Sequence, residues 1–234
     1  FKRLCREIDR SARCFIKKGI NAGDKVGLWA NNTPEWLLSF LGLTKIGAIT
    51  VPIDPNASAE NLHFILTQSE CRGLIISGAS ENIKFDEMTL AAKKQIPALQ
   101  FIIVLGDAST EEMTPWHDFL ELAAEVSDQA LDETAQAVQA TDPMAIMYTS
   151  GTTGQPKGVV LDHLGLVNKS MVGTQRQGIA AEDRLCLFFP LFHMFGNTCI
   201  ALAGLLRGAA LIMPCCAFDP VKILSAIPAE KCTA

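Results

Sequence analysis

The sequence predicts an α/β fold, a parallel sheet with helices packed on its faces. Short apolar runs at 26–30, 48–52, 73–77 and 101–105 alternate with stretches of helical amphipathic period. The chain has 234 residues, 49% of them hydrophobic, and so can bury a sizeable core without disulfides or a structural metal.

The elements follow in order. Leu4, Ile8, Ala12, Phe15 and Ile16 share one helical face, and Gly19 supplies a stop. Basic residues occupy the other face, which reads as solvated. Gly23-Asp24 is a turn before the strand at 26–30. Asn31-Asn32-Thr33-Pro34-Glu35 caps a helix with Pro34 in its first turn and Trp36, Leu37, Phe40 and Leu41 inward. Gly47 ends it, and 48–52 is the next strand. Ser58 caps a helix to about residue 70, 73–77 is a strand, and a helix near 86–96 leads to the strand at 101–105. Residues 106–141 are acidic and rich in Ala and Gln. They read as a surface excursion holding a helix at 115–125, closed by Asp142-Pro143. Strand, loop, strand, helix, strand and helix then run to residue 228. Two regions result, 1–141 and 142–234.

Composition excludes several classes. A net charge of −5 argues against general nucleic-acid binding, because phosphate needs a basic surface. The first residues show no continuous apolar h-region and hence no signal peptide. The eight cysteines form no C-x-x-C, so zinc and a disulfide framework are disfavoured, and small buried thiols in a reducing compartment are expected. Residues 185–206 lack Asp, Glu, Lys and Arg, a length that could span a membrane, but Pro190, His193, Gly196 and Asn197 interrupt them. A buried strand followed by a buried helix is the better reading.

The chemistry sits in Met147-Tyr148-Thr149-Ser150-Gly151-Thr152-Thr153-Gly154-Gln155-Pro156-Lys157-Gly158. From Thr149 onward this run holds glycines, hydroxyls and one lysine, with no acid. Glycines let backbone N–H groups approach an anion, hydroxyls donate to phosphate oxygens, and lysine adds a mobile cation. This is the composition of a polyphosphate cradle, yet not of a Walker A loop, since Pro156 stands where the second glycine belongs. A G-x-S-x-G elbow fails as well, with Tyr148 in the place of the first glycine.

Residues 149–158 resemble the signature loop of adenylate-forming enzymes: acyl-CoA synthetases, aryl-CoA ligases, luciferases and peptide-synthetase adenylation domains. Phe189-Pro190-Leu191-Phe192-His193-Met194-Phe195-Gly196 is similar to the next core motif of that family. Gly23-Asp24-Lys25-Val26, Asn31 to Trp36 and Gly47 to Pro52 are similar to earlier family stretches, in family order. The second motif and the closing Glu230-Lys231-Cys232-Thr233-Ala234 are most similar to fatty-acyl-CoA synthetases.

The resemblance implies part of the large N-terminal domain of an adenylate-forming ligase. It implies that ATP and a carboxylic acid, by preference a medium- or long-chain fatty acid, give acyl-adenylate, and that coenzyme A then takes the acyl group. It assigns Thr149, Ser150, Gly151, Thr152, Thr153, Gly154 and Lys157 to the nucleotide, with Thr152 in the shell of Mg2+. His193 is an orienting or gating group on the acid side, and with Lys157 it forms the catalytic pair. Phe192, Met194, Phe195 and Gly196 shape the acyl pocket. The partners are then small molecules, with no nucleic acid and no transmembrane segment, with room for peripheral membrane contact, and the expected compartment is the cytoplasm. Tyr148 is the single tyrosine, so the family's later Tyr-Gly-x-Thr-Glu block is absent, as is Thr-Gly-Asp. The chain is therefore expected to be an internal piece of a longer enzyme, without the small C-terminal domain and inactive alone. An aryl-CoA ligase, another adenylating enzyme and a non-catalytic nucleotide-binding fragment are the competing readings.

Overall fold

The computed structural model describes residues 1–78, 83–149 and 156–234. Its strands are β1 (Lys25–Trp29), β2 (Ile49–Pro52), β3 (Cys71–Ser77), β4 (Phe101–Leu105), β5 (Thr114–Pro115), β6 (Pro143–Thr149), β7 (Lys157–Asp162), β8 (Arg184–Cys186) and β9 (Ala210–Ile212). Among the described residues seven of them form one sheet in the order β5-β4-β3-β1-β2-β6-β7, and β8 pairs with β9 in a second. Neighbours in the large sheet are parallel except β6 and β7. Parallel strands are covered on both faces, which is why β1 to β4 read as continuous apolar runs.

The helices start where their caps dictate. In α2 (Pro34–Lys45) the Trp36 N–H donates to the Thr33 hydroxyl at 3.2 Å, and Pro34 needs no partner at the first helical position. Ser58 caps α3 (Ala59–Gln68) in the same way. The first helix, α1 (Lys2–Lys17), ends before Gly19, whose φ of +77° only glycine adopts readily. One core face gathers Phe15, Trp36, Phe40, Leu43 and Phe119. The other gathers Trp29, Leu62, Leu66, Ile76 and Phe85, the last from α4 (Phe85–Gln95).

Three expectations change. Residues 106–141 are more than a surface excursion: they supply edge strand β5, α5 (Trp116–Glu121), a 3-10 turn (Leu122–Glu125) and α6 (Asp128–Ala137). Phe119 is fully buried, 4.9 Å from the Phe15 ring. The basic face of α1 is correspondingly not all solvated, since Lys17 pairs with Glu125 at 2.6 Å and Arg13 pairs with Asp128. The acidic composition of the segment is thus complementary to α1. The antiparallel β7 departs from a wholly parallel sheet. Beyond α7 (His163–Gln177) and β8, residues 195–207 form one helical stretch, a π-helix (Phe195–Leu202) running into α8 (Ala203–Arg207), and α9 (Pro220–Ala229) follows β9. No helix among the described residues is long and apolar enough to cross a membrane.

All eight cysteines are free, but only Cys14, Cys71 and Cys186 are buried, while Cys5 and Cys216 are exposed. Burial pushes the Cys71 thiol up to about 12 and Cys14 up to about 11, so both stay protonated and inert.

Candidate functional site

The strand order places a switch point between β1 and β3, because the chain runs outward from β1 to β2 and then crosses back to β3. Crevices outside the carboxyl ends of strands at such a point are where open α/β sheets take ligands. Two groups of sequence-predicted residues lie at that edge.

The first is the mouth of the β6–β7 pair. Its antiparallel register sets Thr149 opposite Lys157, Tyr148 opposite Gly158 and Met147 opposite Val159. The chain therefore leaves the sheet at Thr149 and returns beside it at Lys157, with both residues exposed. Ser150, Gly151, Thr152, Thr153 and Gly154, the rest of the predicted nucleotide set and its Mg2+ position, lie outside the described residues. At the base, the Tyr148 phenol donates to Gln68 Oε1 at 2.8 Å. Burial raises its pKa, so it remains a neutral donor that anchors the strand and not a base.

The second group is the aromatic segment leading into the π-helix. Phe189 stacks edge-on against Phe195, ring centres 4.7 Å apart, and lies 4.5 Å from Phe188. Phe192 and Met194 are half-buried, and His193 and Phe195 are exposed. The His193 N–H donates to the Pro190 carbonyl at 3.2 Å, and the Asn197 N–H donates to the His193 carbonyl at 3.0 Å. The His193 ring is oriented locally: its Nδ1 accepts from the Phe195 N–H at 3.2 Å. An imidazole accepting at Nδ1 carries its proton on Nε2 when neutral, so it presents a donor suited to a carboxylate oxygen. Gly196 is buried, and a Cβ there would stand 2.2 Å from the Pro190 carbonyl and 2.7 Å from that of Phe189. Its role in the described structure is close approach of the π-helix to that backbone.

One residue of this edge was read from the sequence as part of a helix cap and of a family-like stretch, with no role in the site. Asn32, at the end of β1, donates from Nδ2 to the Phe189 carbonyl at 2.9 Å and accepts at Oδ1 from the Leu191 N–H at 2.8 Å. Nothing local in the sequence signals partners so remote. Metal-ligating clusters of His, Cys, Asp and Glu are absent among the described residues. A cleft of about 1,160 Å³ between α1, α2 and the β8–β9 sheet contains none of the predicted site residues.

Comparison with known proteins now decides the family. The profile of the AMP-binding enzymes matches residues 1–234. The chain belongs to the AMP-binding enzyme family. A Bacillus subtilis (strain 168) protein named as a candidate acyl-CoA synthetase, YngI, is 33% identical over all of this AMP-binding chain and 44% of its own length. The mitochondrial medium-chain acyl-CoA ligase ACSF2 of Danio rerio is 27% identical over all of this chain and 41% of its own. The solved structure of the anthranilate CoA ligase AuaEII in complex with anthranoyl-AMP superposes with a TM-score of 0.86 at 25% identity, covering 100% of this chain and 43% of that one. The AMP-binding chain thus spans about two fifths of the length of these relatives, and its fold is that of the large N-terminal domain of adenylate-forming ligases.

Proposed function

We propose that the full-length protein activates a carboxylic acid with ATP, giving acyl-adenylate and pyrophosphate, and then transfers the acyl group to coenzyme A. The observation that carries this reading is the register that sets Lys157 opposite Thr149 at the carboxyl edge of a parallel sheet. Between them the chain carries hydroxyls and glycines and no carboxylate, a donor set suited to the phosphates of ATP. In this reading Lys157 places a mobile cation beside the α-phosphate as the acid's oxygen attacks and pyrophosphate leaves, a reaction that depends mainly on positioning and charge neutralisation. Thr152 would belong to the shell of magnesium, which when bound with ATP would supply further charge neutralisation. The Nε2–H of His193 orients the acid carboxylate, and Phe192 and Phe195 wall the acyl side. Medium- or long-chain fatty acid is the preferred substrate, supported by the relative named a medium-chain acyl-CoA ligase. Eight free thiols favour a reducing compartment, and the cytoplasm is the proposed one.

Pyrophosphate release by the full-length protein with ATP, magnesium and a panel of straight-chain and aryl acids tests this. Release that depends on a medium or long straight-chain acid, and coenzyme A-dependent thioester formation with it, are the expected results. Preference for an aryl acid would move the substrate class, and a folded protein releasing nothing with any acid would remove the activity. The 234-residue chain alone is expected to release none.

A further inference from the structure

We infer that Asn32 is a positioning residue for the acid side of the site, the clamp that holds the segment carrying His193 to the carboxyl end of β1. The inference rests on the reading of His193 as the group that orients the acid.

Asn32 is 7% exposed, and both functions of its amide are used. Nδ2 donates to the Phe189 carbonyl and Oδ1 accepts from the Leu191 N–H, so one side chain closes a bidentate bridge onto a stretch more than 150 residues away in sequence. Its own N–H donates to the Cys216 carbonyl at 3.1 Å, which ties in the turn after β9 as well. Asn32 is not needed as the cap of α2, because the Trp36 N–H already has the Thr33 hydroxyl. Its amide is free for the bridge alone.

The bridge is continuous with the histidine. The Asn32 amide holds Phe189 and Leu191, and the bare Cα of Gly196 packs against the Phe189 and Pro190 carbonyls. The Pro190 carbonyl then receives the His193 N–H, and the His193 ring accepts from Phe195. Releasing the Asn32 bridge frees one end of a chain of backbone contacts that sets the imidazole's direction. A buried bidentate amide has no water to replace it, so its loss leaves a donor and an acceptor unpaired and the segment free to shift. The phosphate side does not share this tether, since Thr149 and Lys157 are held by β-ladder bonds.

The test uses Asn32→Ala and Asn32→Asp in the full-length protein, read by hydrogen–deuterium exchange and by ATP–pyrophosphate exchange at varied acid and varied ATP. Deuterium uptake should rise in peptides covering residues 187–197 and stay unchanged at 143–149. The apparent KM for the acid should rise about tenfold while that for ATP stays within about twofold, the size expected for one lost charge-free bridge. Asn32→Asp keeps the acceptor for Leu191 and loses the donor to Phe189. Its deficit relative to wild type should shrink as pH is lowered, because a protonated carboxyl again donates. A merely structural role would change both KM values together and loosen the whole chain, and this variant carries the test should Asn32→Ala fail to fold. Equal changes in both KM values, no change in either, uptake spread over the whole chain, or a deficit indifferent to pH would each overturn the inference while leaving the activity standing. Wild-type protein without acid-dependent exchange would overturn the activity, and the inference with it.

Discussion

Gly196 shows how little room the backbone beside His193 leaves. The π-helix approaches the Phe189–Pro190 backbone so closely that a single methyl group would overlap the Pro190 carbonyl oxygen, a contact that backbone cannot yield easily. Gly196→Ala should therefore destabilise the protein by about 1–3 kcal/mol, the usual range for overpacking a filled interior, and should weaken acid use more than ATP use. A denaturant titration beside substrate titrations checks both, and an unchanged midpoint would show that the helix simply slides. Lys157 was singled out by its place in an acid-free run of glycines and hydroxyls, and His193 by its place in a stretch similar to a family motif, so both proposals were open to a reader of the sequence. Asn32 was not legible, because its meaning lies in partners that only the fold brings near.

Among the elements, β7 and the start of α7 repay closest reading. Asp162 caps α7 by accepting from the Gly165 N–H at 2.6 Å, and the next residue, His163, turns its ring inward. The Nε2 of His163 is buried without a hydrogen-bond partner. Burial holds its pKa below the ordinary 6.5, and Asp142 and Asp162 pull the other way without winning. The unfolded chain therefore takes up a proton that the folded one resists. Stability is full above 6.5 and is lost as pH falls from there toward the lowered folded value. Denaturant midpoints at neutral and mildly acidic pH should converge for wild type and His163→Gln on the neutral side and separate in acid, with wild type losing more. Parallel curves would mean that the ring is not the cause. The strands β1 to β4 and helices α2 and α3 were readable from apolar runs and Ser, Thr and Pro signals. Helix α6 escaped notice because Leu131 is its single buried residue, leaving almost no apolar period to see. The antiparallel turn of β7 escaped because an apolar run does not encode direction, and the π-helix because its five-residue bonding leaves no distinct sequence pattern.

For the molecule as a whole, the sheet order converts separate motifs into one edge. The ends of β1 and β6 lie two strand spacings apart, about 10 Å, which brings the Asn32-held aromatic segment and the Lys157 mouth to the same side of the sheet. The low charged fraction of 19% has a counterpart on the surface, where Phe218, Val221 and Leu224 on and beside α9 are 71%, 73% and 68% exposed. We propose Lys157 as the cation of an acid-activating site. ATP–pyrophosphate exchange by the full-length protein, wild type against Lys157→Ala, with a melting curve for each, measures it. Acid-dependent exchange in the wild type should fall on the order of a hundredfold in Lys157→Ala at an unchanged melting temperature, the scale of losing one preorganised electrostatic contact. Exchange undiminished in Lys157→Ala would contradict it.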